Sequence, residues 1–70
     1  MNARAISPDE MLAKLREAVA AAGSQRAYAR DIGVSEQYVC DCLSGRRDIG
    51  KSIAEPLGYH PTTIYIPIES

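Results

Sequence analysis

The sequence predicts a small, mainly α-helical domain in which four short helices precede one C-terminal β-strand. Three observations predict this class. The chain has 70 residues, which is enough for a single hydrophobic core. Apolar side chains recur at helical spacing up to residue 57, between residues that typically start and stop helices. Residues 62–68 are instead β-branched and aromatic, and their isoleucines alternate as in an extended strand.

The first helix is predicted to begin at Pro8 and to run to the neighbourhood of Ala22. Ser7 is suited to the N-cap, Pro8 to the first helical position, and Glu10 completes a capping box. Gly23 then ends the helix. The inward-facing stripe consists of apolar residues at helical spacing, namely Met11, Leu12, Leu15, Ala18, Val19 and Ala22.

Two shorter helices follow, and only three residues separate them. Ser24 caps the second helix, Gly33 stops it after about two turns, and Ser35 caps the third helix. A connection this short forces the helices to cross steeply, and Gly33 can adopt the positive φ that the turn needs. The third helix carries its inward-facing stripe at Val39, Cys42 and Leu43.

The end of the chain combines a fourth helix with the strand. Pro56 predicts that this helix is very short or kinked, because proline lacks an N–H and disfavours helical geometry at Glu55. No second segment has a β pattern, so we expect the strand to pair with the same strand of a second subunit. The predicted dimer interface is formed by Ile64, Tyr65, Ile66 and Ile68.

Composition and cysteine spacing limit the class of protein. No stretch approaches the ~20 apolar residues of a membrane span, and the first residues lack the basic and apolar regions of a secretory signal. Cys40 and Cys42 are separated by a single residue, which in a helix places their side chains well apart around the axis and argues against a mutual disulfide. We therefore expect a cytoplasmic protein without membrane contact. The net charge is −1, so any binding to nucleic acid depends on how the charges are distributed.

Residues 25–44, QRAYARDIGVSEQYVCDCLS, resemble the helix-turn-helix of the phage Cro and lambda-repressor-like family. That pattern has Gln at the start of the first helix, Ala in its middle, Gly in the turn and apolar residues around it. Cys42 departs from the pattern, since a larger aliphatic residue is usual there. The matching positions are Gln25, Ala29, Ile32, Gly33, Val34, Val39 and Cys42.

The resemblance implies a helix-turn-helix DNA-binding domain over residues 1–60 and a dimerisation strand over residues 61–70. It implies a transcriptional repressor of phage or mobile-element origin, which binds a palindromic operator in double-stranded DNA as a homodimer. The two recognition helices would then lie about 34 Å apart in successive major grooves. Such a protein needs no cofactor, and we expect neither a small-molecule ligand nor enzyme activity.

The outward face of the third helix is the predicted reading surface. Helical geometry places Gln37, Asp41 and Ser44 farthest from the core, with Tyr38 on a flank and Glu36 near the N-terminus. The resemblance implies that this part enters the major groove. Gln37 would then read adenine and Glu36 would accept from cytosine N4. The predicted base contacts are Glu36, Gln37, Tyr38 and Asp41.

The position of Asp41 on this face has to be explained, because DNA phosphates repel its carboxylate. We expect either Arg30 or Arg46 to hold it, or its charge to penalise wrong sequences. Arg4 is a further candidate, as a flexible arm that extends into a minor groove. The predicted phosphate contacts lie at the start of the second helix and after the third, at Gln25, Arg26, Ser44, Arg46, Arg47 and Lys51.

Other functions were weighed on the same residues. A metal or redox site at Cys40, Cys42 and His60 falls short of four ligands at the usual spacing. Catalysis would need a nucleophile with a positioned base and a pocket that so small a core does not provide. The alternative that stays open is a protein-binding helical module, or an antitoxin-like partner, whose strand extends the sheet of another protein.

Overall fold

A computed structural model describes residues 5–62 and 64–68 of the chain. Four helices come first, followed by a short antiparallel hairpin, so the mainly helical class is confirmed. Helix α1 packs against α2 and α3, α2 packs against α3, and α4 packs against the first strand. The elements are α1 Pro8–Ala22, α2 Gln25–Ile32, α3 Glu36–Leu43, α4 Lys51–Ala54, β1 Tyr59–Pro61 and β2 Tyr65–Pro67.

Serine side chains start the first three helices, as predicted. Ser7 Oγ accepts from the Glu10 N–H at 3.2 Å, and the Glu10 carboxylate accepts from the Ser7 N–H at 3.2 Å, which completes the capping box. Ser24 Oγ accepts from the Ala27 N–H at 3.0 Å. Ser35 Oγ accepts from the Tyr38 N–H at 3.1 Å. Each cap satisfies an amide that the helix itself leaves without a partner.

The turn between α2 and α3 depends on Gly33. Its φ of 78° lies in the left-handed region, and its N–H donates to Ala29 O at 2.9 Å. A Cβ built at this position meets nothing within 4 Å. Glycine is therefore needed for the backbone conformation and not for space.

Helix α4 is as short as Pro56 requires. It has four residues and ends at Ala54, two residues before the proline. Gly50 precedes it without a side-chain cap. This helix still contributes Ile53 and Ala54, both fully buried, to the centre of the core.

The core joins residues from every element. Met11 and Leu15 of α1 and Val39 and Cys42 of α3 are buried, as the predicted stripes require. Leu12, Ala18, Val19, Ala22 and Leu43 pack around them and are partly buried. The buried set is completed by Ile6, Tyr28, Ala29, Ile49, Ile53, Ala54 and Tyr65.

The prediction of a C-terminal strand without a partner in its own chain is wrong. β1 pairs with β2 in antiparallel register, with His60 opposite Ile66, and β1 extends across the expected boundary after residue 60. On the other edge, Ile6 and Tyr65 exchange two backbone hydrogen bonds of 2.7 and 2.9 Å. The segment is therefore part of the core of its own chain.

Two prolines explain why the first strand was missed. β1 contains Pro61 and β2 contains Pro67, and proline is usually excluded from strand interiors. In this register His60–Ile66 is the hydrogen-bonded pair, because Tyr65 already uses its backbone groups on the opposite edge. Each proline occupies a flanking position where the ladder between the two strands needs no N–H.

The four residues predicted for a dimer interface divide into two groups. Tyr65 is 5% exposed, and its hydroxyl donates to Ile49 O at 2.7 Å, so it is a core residue of its own chain. Ile64, Ile66 and Ile68 are 43%, 44% and 50% exposed. Because they alternate along an extended segment, they lie on the opposite face from Tyr65.

Candidate nucleic-acid interface

The outer surface of α3 carries polar side chains above a buried stripe. Glu36 and Gln37 are exposed at its first turn, while Val39 and Cys42 face the core. The exposed residues also include Cys40, which is a free thiol. The first turn of the face predicted to read bases is therefore open to solvent at Glu36 and Gln37, whereas Tyr38 is partly buried against the core.

Asp41 is held by Gln37 and not by an arginine. Gln37 Nε2 donates to Asp41 Oδ1 at 2.9 Å, one helical turn away. Within residues 5–62 and 64–68, neither Arg30 nor Arg46 forms an ion pair with Asp41, so the expected arginine partner is wrong, while the penalty on wrong sequences stays a prediction. A sequence signal was present, since glutamine and aspartate four positions apart on a helix are neighbours.

Ser44 is already committed to the end of α3. Its hydroxyl donates to Asp41 O at 3.1 Å, and its N–H donates to Cys40 O at 3.0 Å. A phosphate contact needs a donor, and both donors of Ser44 are used within the helix end. The structure therefore gives this predicted phosphate contact no free donor.

Tyr38 ties α3 to the start of α4. Its hydroxyl accepts from the Gly50 N–H at 3.1 Å, and the Arg47 guanidinium lies 5.5 Å from the ring centroid. A Cβ on Gly50 would lie 2.8 Å from that hydroxyl, so a larger residue there would force the Tyr38 hydroxyl to move. Burial raises the pKa of Tyr38, and the hydrogen bond from Gly50 partly opposes that rise.

The consequence is a positioning role for Tyr38 that sequence reasoning missed. The Tyr38 hydroxyl already accepts from Gly50, so the base contact predicted for this residue competes with a bond inside the protein. By stacking on the ring, Arg47 is held beside α3. No local pattern marks a bond to a residue twelve positions further along.

Basic side chains lie on both sides of α3 in the sequence. Arg26 is exposed in the first turn of α2, where the amides of Gln25 and Arg26 have no hydrogen-bond acceptor among the described residues. Arg46 and Arg47 directly follow α3 and are exposed. Lys51 is exposed and makes a loose 3.9 Å ion pair with Glu55. Residues 25–51 hold five basic and four acidic residues.

The remaining predicted features can be placed briefly. Cys40 and Cys42 are free, and burial raises the pKa of the Cys42 thiol. The described part of the chain contains no group of three His, Cys, Asp or Glu side chains that could hold a metal ion. Arg4 lies outside the described residues. No helix in the described ranges is long and apolar enough to cross a membrane.

Crevices occur on a different side from the outer face of α3. One of them, of about 130 Å³, lies between the start of α1, the loop after α3 and the hairpin. Its lining mixes apolar side chains such as Leu12 and Tyr65 with Asp9, Arg47 and Asp48. None of the residues predicted to contact bases lines it.

The chain was compared with known proteins at three levels. No family model, no curated protein and no solved structure matches it. The case for a function therefore depends on the residues and geometry described above.

Proposed function

We propose that the protein is a sequence-specific DNA-binding transcriptional regulator, a repressor that binds a palindromic operator as a homodimer. In this proposal α2, the turn at residues 33–35 and α3 act as a helix-turn-helix. The observation that carries the proposal is the outer face of α3. Its first turn presents Glu36 and Gln37 to solvent on a helix whose other face is fixed by the core. Such a helix fits the major groove, where each base pair has its own donor and acceptor pattern.

The charges around α3 support the same proposal. Arg46 and Arg47 are exposed directly after the helix, and Arg26 is exposed on α2, which packs against α3. Phosphate contacts on both sides of a reading helix would fix its register on the duplex. The stacking of Arg47 on Tyr38 reduces the side-chain freedom that such a contact would otherwise cost.

Dimerisation is proposed through side chains and not through strand pairing. On the edge of β2 that faces away from β1, Tyr65 is already hydrogen-bonded to Ile6, and Pro67 has no N–H to donate. The exposed isoleucine face, defined as Ile64, Ile66 and Ile68, is instead available to the same face of a second copy. Three half-exposed side chains are a small face compared with the ~800 Å² per partner of a stable interface. We expect a weak dimer in solution that assembles fully on a two-fold operator.

The fold offers less support for the alternative in which the C-terminal strand binds another protein. Extending a partner's sheet requires a strand with unpaired backbone groups along one edge. Ile6 already pairs with Tyr65 on the outer edge of β2, and Pro61 and Pro67 have no N–H, so fewer of those groups are available to a partner strand. A partner protein would have to dock on side chains, and the experiments below separate that case from DNA binding.

The first experiment selects bound sequences from a random DNA pool with the 70-residue chain. We expect a short symmetric site to be enriched, and failure to enrich any symmetric site would contradict the proposal. Affinity for the selected operator is then measured against salt concentration. Arg46→Ala should weaken binding roughly tenfold at about 0.1 M salt and lower the salt slope by about 1. Arg47→Ala should act in the same direction.

Arg16→Ala is the matched control, because it removes the same charge from an exposed position on α1. It should leave the salt slope unchanged. Equal effects of Arg16→Ala and Arg46→Ala would show that only total charge matters, and would remove the assigned phosphate contacts.

The dimer is tested with Ile66→Lys, with Ala20→Lys on α1 as the control for added charge. Ile66→Lys should reduce binding to the full palindrome while binding to a half-site stays the same. If Ile66→Lys binds the palindrome as tightly as Ala20→Lys does, the isoleucine face is not the interface.

A further inference from the structure

We propose that Asp41 is a positioning residue that fixes the side-chain amide of Gln37, so that Gln37 accepts adenine and rejects guanine at one operator position. This inference deepens the proposed function and rests on it. It concerns the chemistry of one hydrogen-bonded pair on the outer face of α3.

The pair is defined by its polarity. Gln37 Nε2 donates to Asp41 Oδ1 at 2.9 Å. An ionised carboxylate only accepts hydrogen bonds, so it can bind the nitrogen end of the amide and not the oxygen end. The bond therefore distinguishes the two ends of a group that could otherwise rotate. Gln37 is exposed and has no other side-chain hydrogen bond in the described part of the chain.

Asp41 is itself oriented by the end of α3. Its backbone carbonyl accepts from Ser44 Oγ at 3.1 Å and from the Arg46 N–H at 2.9 Å. These bonds hold the backbone of Asp41 in place at the last turn of the helix. Since no arginine among the described residues pairs with the Asp41 carboxylate, no ion pair competes with its hydrogen bond from Gln37.

The remaining hydrogen-bonding capacity of Gln37 matches one base. One of the two Nε2 hydrogens is used by Asp41, which leaves one N–H donor and the Oε1 acceptor. Adenine presents an acceptor at N7 and a donor at N6 in the major groove, so it complements this remainder. Guanine presents acceptors at both N7 and O6, and a paired Gln37 can satisfy only one of them.

The fixed orientation of the amide accounts for the rejection of guanine. With Nε2 held by Asp41 and donating to N7, the Oε1 end of the Gln37 amide would face the guanine O6. Two acceptors without a proton between them repel each other. An amino group on the base, as on adenine, would be tolerated there. An unpaired Gln37 could turn its whole NH₂ group towards guanine and would discriminate less.

The experiment compares Asp41→Ala and Asp41→Asn in the full chain, on duplexes that differ only at the base contacted by Gln37. That base is found first as the position where Gln37→Ala abolishes preference. The wild-type protein should favour adenine over guanine by roughly 5- to 150-fold. Asp41→Ala should reduce this ratio to within about threefold, because the NH₂ group is released. Asp41→Asn should keep most of it, since its amide oxygen still accepts the bond.

A second readout tests the pair without DNA. In the free protein, hydrogen bonding to residue 41 should shift one side-chain NH₂ proton of Gln37 downfield in NMR spectra of wild type and Asp41→Asn, so that the two protons are further apart than in an unbonded glutamine. In Asp41→Ala the separation should return to that of an unbonded glutamine. Alanine is a good helix former, so the Asp41→Ala variant is expected to fold. Circular dichroism checks this.

The outcomes separate this inference from the proposed function. If wild type selects a symmetric site but Asp41→Ala keeps the adenine preference, the positioning role is overturned and the proposed function stands. Equal losses in Asp41→Ala and Asp41→Asn would also overturn it. If wild type selects no DNA sequence, both fail, while the NMR comparison still shows whether the bond exists.

Discussion

The α2–α3 pair and the C-terminal hairpin differ in the distance along the chain over which their stabilising contacts act. In the helical pair, Ser24 and Ser35 bind amides three residues ahead, and Gly33 turns the chain by its own backbone geometry. In the hairpin, Tyr65 binds Ile6 near the other end of the chain and Ile49 in the loop before α4. The helical pair can define its ends locally, whereas the hairpin needs the assembled core.

This difference changes how the hairpin can be tested. Cutting the chain after His60 would remove Tyr65 from the core together with the exposed isoleucine face. The loss of a dimer in such a fragment would not separate folding from assembly. Point substitutions on the two faces of β2 separate folding from assembly.

Tyr65→Ala should lower the free energy of unfolding by about 3–5 kcal/mol, because it removes a buried aromatic side chain and its hydrogen bond. Urea denaturation followed by circular dichroism measures this. Ile66→Ala, on the exposed face of the same strand, is the matched control and should change stability by less than about 0.5 kcal/mol. Equal effects of the two variants would mean that the hairpin does not belong to the core.

Gly33→Ala should cost about 1–2 kcal/mol, since alanine is strained at a φ of 78° although there is room for its Cβ. Gly33→Asn should cost less, because asparagine tolerates the left-handed region better. Thermal denaturation of both variants provides the comparison. If Asn is no better than Ala, the cost does not come from backbone conformation.

Tyr28→Phe and Tyr65→Phe should have opposite signs, each of roughly 1 kcal/mol. The Tyr28 hydroxyl is buried and has no hydrogen-bond partner among the described residues, so its removal should stabilise the fold. The Tyr65 hydroxyl donates to Ile49 O, and its removal should destabilise the fold. Chemical denaturation of both variants measures the difference. Destabilisation by Tyr28→Phe would indicate that the Tyr28 hydroxyl does have a partner.

Alkaline pH should lower the free energy of unfolding gradually, and by less than the substitutions above. Burial raises the pKa of Tyr28 and of the Cys42 thiol above their ordinary values of 10.0 and 9.0. The unfolded chain therefore loses these protons at lower pH than the folded chain does. Their contribution to stability is fully present below pH 9 and is lost as pH rises through the raised values.

Urea midpoints measured from pH 8 to pH 10.5 would check this pH dependence. The midpoint should stay level at first and then fall, and Tyr28→Phe should fall less than wild type does. A midpoint that rises with pH in this range would contradict the assigned direction.

The sequence by itself determined the helices, because their signals are local. Ser7, Ser24 and Ser35 each bind an amide three residues ahead. Gly33 supplies the turn, and Pro56 limits α4. The exposure of Gln37 also followed from helical periodicity alone. The pairing of Asp41 with Gln37 also follows from the same spacing, whereas opposite charge alone favours Arg30 or Arg46.

Only the tertiary structure decided where the hairpin and Tyr38 belong. The partners of Tyr65 are Ile6 and Ile49, and the partner of Tyr38 is Gly50. Such contacts form only when the packed core brings distant segments together, so no short window of sequence contains them. A strand of three residues that includes a proline has little β propensity of its own. It forms because neighbouring segments supply its hydrogen bonds and packing.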